Sequence, residues 1–185
     1  MSAPQTVDLT TPLDEAAARA LTAGTRVRIR GTLYAARDQA HRRLCELLAR
    51  GEAPPFPLEG AVFYYVGPTP GGEGRAFGAA GPTSSYRMDP FTPQLLARGV
   101  RGMIGKGERS GEVVRAMQRF GAVYFAATGG AGALLARCIC SAEVLAWPEL
   151  GPEALRRLEV EDFPALVAID AEGRSLYERA TEKGA

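Results

Sequence analysis

The chain has 185 residues, 46% of them hydrophobic and 23% charged, enough for one domain with a sizeable core and free of the biased tracts of a disordered segment. Its 22 basic and 21 acidic residues leave a net charge of +1, and no lysine or arginine run is long, which argues against nucleic acid or an anionic membrane surface as partner. No uninterrupted apolar run approaches membrane-spanning length.

Residues 1–14 are polar and contain prolines, without the basic-then-apolar pattern of a signal peptide, so a cytoplasmic protein is expected, with residues 1–8 and 179–185 loosely ordered. Residues 27–30 alternate as a strand and are expected to stop at Gly31. Residues 35–50 place Ala36, Ala40, Leu44 and Leu47/Leu48 at helical spacing, closed by Gly51. A proline-rich loop over 52–58 precedes a compact apolar run at 61–66, a buried strand halted by Gly67-Pro68. The connection 67–81 is long and glycine-rich, a length that suggests a functional loop.

Next comes Gly81-Pro82-Thr83-Ser84-Ser85-Tyr86-Arg87-Met88-Asp89. Thr83 or Ser84 can cap a helix starting here, with Arg87 about one turn further on. An ordinary helix cap and a carboxylate or phosphate site both fit these residues. A short helix is expected at 93–98, a strand at 102–104 leading into the turn Gly105-Lys106-Gly107, a helix at 112–120 and a buried strand at 122–127. Gly129-Gly130 opens an Ala/Leu helix to Cys138; a strand follows at 139–147, then a short helix at 152–158 and a strand at 165–170. The tail after the turn at 171–173 is polar. Alternating strands and helices make the class α/β with a mixed, partly parallel sheet flanked by helices.

The glycine-rich turns do not match nucleotide loops. A phosphate-binding loop would need glycine where Val100 stands and Ser or Thr where Gly107 stands; the dinucleotide pattern meets Ser110 and Leu135 at its third glycine. Arg37 and His41 are four apart on one predicted helix, and Asp38 and His41 three apart, so Asp38 can orient the imidazole; an exposed charged helix start fits equally. Lys106 between two glycines is either a mobile point charge at a site or a solvated turn lysine. Arg37, Arg87 and Lys106 together suit a small dianion, with Thr83 beside them as a weak base needing cationic surroundings or an acceptor. Cys45, Cys138 and Cys140 fit a reducing compartment and match no metal-binding spacing.

Taken in order, these segments resemble the β subunit of two-subunit class I fumarate hydratases, the homologue of the C-terminal domain of the single-chain enzymes, with L-tartrate dehydratase β subunits as close relatives. The resemblance is carried by Gly31-Thr32-Leu33, Arg37-Asp38-x-x-His41-Arg42-Arg43-Leu44, Gly81-Pro82-Thr83 with Arg87-Met88, and Ile104-Gly105-Lys106-Gly107. Gly129-Gly130 with Ala133-Leu134, Glu149-Leu150-Gly151-Pro152-Glu153-Ala154, and Asp162-Phe163-Pro164-Ala165 with Asp170 and Gly173 continue it. It runs from about Leu9 to Tyr177 and treats the chain as one domain.

The resemblance implies a swivelling β/β/α fold and a hydro-lyase active only with an α subunit, as an α2β2 assembly. In the family that subunit carries a [4Fe–4S] cluster whose fourth iron is the Lewis acid. It implies Thr83 as the base removing the C3 proton of malate, and Arg37, Arg87 and Lys106 as substrate-carboxylate ligands. Ser84 stands where the family often has a second threonine and keeps the hydroxyl at the substrate. His41 and Asp38 complete the candidate catalytic set, with His41 either moving protons or positioning Arg37 or Asp38. The run 149–154 through Asp162-Phe163-Pro164 looks more like the fumarase branch. Tartrate dehydratase, a related C4–C5 diacid hydratase, or a stand-alone anion-binding or regulatory module are the alternatives.

Overall fold

The structure, a computed structural model, describes residues 6–72, 74–127 and 131–178. Of the two termini expected to be loose, 1–5 and 179–185 lie outside the described residues, as does the Gly129-Gly130 pair, whereas Thr6 already belongs to a strand. The strands are β1 (Thr6–Thr10), β2 (Arg26–Ala35), β3 (Val62–Tyr64), β4 (Gly102–Gly105), β5 (Val123–Ala126), β6 (Ile139–Ala146) and β7 (Leu155–Ile169). The helices are α1 (Glu15–Ala20), α2 (Asp38–Ala49), α3 (Thr92–Leu96), α4 (Gly111–Phe120) and α5 (Gly132–Arg137), with short 3₁₀ turns at Ser85–Met88 and Pro148–Glu153. Among the described residues no helix is long and apolar enough to cross a membrane.

Strands β2, β3, β4 and β5 run parallel, and β7 returns antiparallel between β5 and β2, so the ladder of pairings closes into a ring. β1 lies parallel to the first half of β2, and β6 pairs antiparallel with the first half of β7. The α/β class with a mixed sheet is therefore as the sequence indicates. The short strands are buried on both faces, which is why they read as continuous apolar runs. Val62, Tyr64, Ile104, Val123 and Phe125 join Phe163 and Val167 in one core. Their neighbours Phe63, Met103 and Tyr124 point the other way, onto Leu44, Leu48, Leu96 and Met117 of the helices.

Two expected boundaries move, for physical reasons. Gly31 does not end β2: it sits at φ +105° where the register against β7 shifts, and the strand continues to Ala35. A Cβ there would lie 2.7 Å from both the carbonyl and the hydroxyl oxygen of Thr11, whose Oγ1 donates to the Thr32 carbonyl at 2.7 Å. It is a bulge that lets the preceding loop cross closely. The helix expected at 152–158 is instead the 3₁₀ turn Pro148–Glu153 followed by the start of β7. Leu155 and Leu158 are fully buried, and their spacing mimics a helical turn, but they pair with Ala146 and Ala142 of β6. Long-range pairing overrides that local signal.

Gly31→Ala is expected to lower stability by about 1–3 kcal/mol, since it adds both a disfavoured φ and a close contact. Urea unfolding of the variant beside the parent chain measures it; an unchanged midpoint would mean that the Thr11 crossing is loose.

Candidate functional site

Three parallel strands deliver the predicted residues to one end of the sheet. Arg37 lies two residues past β2, Tyr65 follows β3, and Lys106 follows β4. The carboxyl ends of parallel strands are where α/β folds commonly bind ligands. The segment after Pro82 is laid between these ends by backbone bonds. Thr83 N and Oγ1 both donate to the Tyr65 carbonyl, at 2.8 and 3.1 Å. Lys106 N donates to Thr83 O at 3.3 Å, Ser85 N to Lys106 O at 3.0 Å, and Ser84 bridges to Lys106 as a parallel strand would. Thr83, Ser84 and Lys106 are thus neighbours by construction.

The helix-cap account of this segment does not hold. Ser85–Met88 is a single 3₁₀ turn, Ser84 makes no side-chain capping bond, and the Thr83 hydroxyl is turned to Tyr65. Arg87 is exposed on that turn. The Tyr86 phenol first, then the fields of Asp38 and Glu153, raise its already high pKa, which sets Arg87 within electrostatic reach of the start of α2. Arg37 at the α2 N-cap pairs through Nη2 with Glu153 Oε1 at 3.1 Å, and its Nε lies 3.9 Å from Asp38 Oδ1. The Lys106 side chain is exposed, with no hydrogen-bond or ion-pair partner among the described residues.

His41 is placed behind this group rather than in it. It is 1% exposed, packed against Phe63, Tyr65 and Phe91, with Nδ1 2.9 Å from the Arg37 carbonyl oxygen. Burial pushes its pKa down to about 4, assisted by the Arg109 charge and opposed by the Arg37 carbonyl bond and Asp38. A neutral imidazole with Nδ1–H on that carbonyl holds the α2 N-terminus, and Asp38, expected from the spacing to orient the ring, makes no hydrogen bond to it.

What holds the two loops together was not singled out from sequence. Arg109, 8% exposed, donates from Nε to Asp89 Oδ1 at 2.7 Å and from Nη2 to Thr92 Oγ1 at 2.8 Å, between the rings of Tyr65 and Tyr124. Asp89 Oδ2 accepts from Ser110 N at 2.7 Å, at the cap of α4. Ser85 Oγ and the Tyr124 hydroxyl are 2.8 Å apart, and that hydroxyl also donates to Gly107 O at 2.8 Å. Gly105 is required here: a Cβ would sit 2.0 Å from Ser85 Oγ. An Asp–Arg pair 20 residues apart carries no periodic signal, although Ser110 before an apolar helix marked where the second loop ends.

The face is open. Clefts of about 320 and 440 Å³ lie elsewhere, one lined by residues 74–78 with Ala133 and Arg137, the other by residues 26–28 with Pro164 and Leu166. Among the described residues no group of His, Cys, Asp and Glu is placed to hold a metal ion. Cys45 is buried, with its thiol pushed up to about 11 by that burial, and Cys138 Sγ lies 3.7 and 3.6 Å from the Leu134 and Asp162 carbonyl oxygens. The described residues do not fit an iron–sulfur cluster.

The structure is thus a mixed α/β sheet with Thr83, Ser84 and Lys106 drawn together past the ends of parallel strands and Arg37 at the start of the adjoining helix. The family model described as "Fumarase C-terminus" matches residues 1–180, and the chain belongs to that family. It is 39% identical over 177 residues to the aerobic class I fumarate hydratase of Escherichia coli (strain K12), covering 94% of this chain and 32% of that protein. Fumarate hydratase 2 of Leishmania major is 38% identical over 177 residues, with 94% of this chain and 31% of its own length covered. The candidate L(+)-tartrate dehydratase subunit beta of Methanocaldococcus jannaschii is 36% identical over 169 residues, with 88% and 87% covered. The chain thus spans about a third of the length of these fumarate hydratases and most of the Methanocaldococcus protein.

Two outcomes test this geometry. Arg109→Met leaves Asp89 without its cation and is expected to cost about 3–5 kcal/mol, read by urea unfolding. For His41, the unfolded imidazole takes a proton below pH about 6.5 that the folded one refuses until about 4, so its contribution is intact above 6.5 and lost as pH falls from there. About 2 kcal/mol is expected to go between pH 7.5 and 5, and His41→Phe should lose correspondingly less over that interval. Equal pH sensitivity of both chains would show that the imidazole is accessible to protons.

Proposed function

We propose that the chain is the β-subunit half of an iron–sulfur hydro-lyase, a class I fumarate hydratase interconverting fumarate and malate, active only with an α-type partner. The observation that carries this is the seating of Thr83 and Ser84 against Tyr65 and Lys106 beyond the ends of β3 and β4, with Arg37 two residues past β2. Family membership supports the reaction class. The swivelling β/β/α description, the one-domain organisation, the α2β2 assembly and the cytoplasmic location belong to the same proposal. So does the [4Fe–4S] cluster on the partner, since this chain's described residues do not fit one.

This chain's share of the chemistry follows from its donors. Arg37, Arg87 and Lys106 bind the two carboxylates of a C4 diacid, guanidinium forks matching carboxylate geometry and lysine adjusting. Loss of the C3 proton builds charge on the adjacent carboxylate, and cations aimed there stabilise the transition state. Thr83 Oγ1 takes that proton. Its own hydrogen faces the Tyr65 carbonyl, which cannot accept it outright, so the neighbouring cations must favour the deprotonated hydroxyl, or an acceptor from the partner must relay it. Ser84, bridged to Lys106, adds a second hydroxyl. Asp38 and His41 set the α2 N-terminus that presents Arg37.

A second reading, L-tartrate dehydratase β subunit, is favoured by the coverage of the Methanocaldococcus protein, which matches over 87% of its length. Both substrates are C4 diacids, so an assay decides. Anaerobic co-expression with a cognate α-type chain, tested on fumarate, tartrate and mesaconate, is expected to show fumarate hydration. Thr83→Ala should lower kcat by about 10²–10⁴-fold with assembly intact, and Arg87→Ala should both raise KM and lower kcat. No hydratase activity with a verified cluster would leave the stand-alone anion-binding module; near-full kcat in Thr83→Ala would remove Thr83 as base.

A further inference from the structure

Granting the dicarboxylate reading of the site, we infer that Glu153 is its positioning residue: it fixes the Arg37 guanidinium, so that the part of the head group left exposed is offered to a ligand carboxylate in one orientation. The Arg37 Nη2–Glu153 Oε1 contact is 3.1 Å, between side chains only 22% and 25% exposed. An exposed pair of this kind would do little, but here the guanidinium is also confined from the other side. It packs on Gly67, where a Cβ would stand 2.9 Å from Arg37 Nη1 and 3.3 Å from Cδ. One nitrogen is tied to Glu153, another faces the β3 exit, and the third is left over.

That third nitrogen is the informative one. Arg37 Nε is buried without an acceptor, and Asp38 Oδ1 is buried without a donor, the two lying 3.9 Å apart, too far for a hydrogen bond. A buried donor left unsatisfied is costly, so the guanidinium keeps this placement only because the Glu153 contact and the packing on Gly67 hold it there. Arg87, exposed on the 3₁₀ turn Ser85–Met88, is the second arginine available to the ligand.

Glu153 is itself held by a device with no other evident use. The turn Pro148–Glu153 has Trp147 at φ 55° and Gly151 at φ 58°, and the Arg156 guanidinium staples it. Arg156 donates to the carbonyls of Gly151, Pro152 and Ala154 at 2.6, 3.0 and 3.2 Å. A second ion pair, Arg43 to Glu149, ties the same turn to α2. The carboxylate is thereby delivered from the start of β7 to the α2 N-cap on a fixed support.

The test uses the co-expressed complex and, separately, the chain alone. In the complex, Glu153→Ala is expected to raise KM for fumarate about tenfold with kcat within about threefold, because ground-state and transition-state binding are lost together. Glu153→Gln, which keeps an acceptor for Nη2, is expected to restore KM to within about threefold of the parent. A KM within about twofold in the Ala variant, or no rescue by Gln, would overturn the inference. In the chain alone, with ¹⁵N-labelled arginine, the Arg37 Nε–H resonance (identified by its loss in Arg37→Lys) should exchange slowly in the parent and Gln chains and quickly in the Ala chain. Identical exchange in parent and Ala chains would also overturn it. A complex without any hydratase activity would instead sink the proposed reaction, leaving the NMR result to decide the role of Glu153.

Discussion

The buried Arg109–Asp89 pair is the constraint on which the site depends. Backbone bonds to Tyr65 and Lys106 seat residues 83–85, but they do not reach the turn beyond, which carries Arg87, or the segment from Gly107 to α4. Asp89 closes the 3₁₀ turn carrying Arg87, and Arg109 closes the turn carrying Lys106; their 2.7 Å bond sets the spacing between the two. The Asp89 bond to Ser110 N adds the start of α4 to the same clamp, and Thr92 Oγ1 adds α3. A buried ion pair is seldom a large net source of stability, because desolvation offsets much of the attraction. Its effect is geometric: with both ends satisfied, only one relative placement of the loops leaves no charge stranded.

Burial keeps His41 neutral, and the Arg109 charge adds to that effect. Arg109 lies between Tyr65 and Tyr124, and Tyr65 is one of the rings packed on the imidazole. A protonated His41 would bring a second cation into a shell already occupied by the guanidinium, with only Asp38 and a carbonyl oxygen to balance it. The two groups therefore divide the interior: one permanent charge with a carboxylate, one neutral ring holding a backbone carbonyl. Both serve to place backbone, and the polar groups facing outward are carried by that backbone.

How much of this was legible from sequence depended on the range of the interaction. Helix α4 and strand β5 were readable almost to the residue, because Ser110, the apolar spacing and Gly121 act locally, the serine capping Val113 N and the glycine adopting φ 65°. That Arg37 and Lys106 stand just past strand ends was legible from the element boundaries, and strand polarity then brings those ends to one side of the sheet. The 15 residues of β7 were not legible, since Leu155–Leu158 imitates a helical turn and only pairing with β2 and β6 decides otherwise. Arg109 and Glu153 were invisible as functional neighbours for the same reason: a charged residue looks alike in sequence whether it meets water or a partner 20 or more positions away.

The charge balance at the sheet end argues for a half-site rather than a finished pocket. Arg37 is opposed by Glu153 and Asp38, while Arg87 and Lys106 project into solvent. In high dielectric such exposed cations hold a dianion weakly, since each unit-charge interaction at 4 Å amounts to about 1 kcal/mol. The same cations act far more strongly once another surface excludes water from them. An open face with fixed donors and a carboxylate-tethered arginine suits the proposed β-subunit role, in which the geometry is built in advance and the low dielectric would come from a covering chain.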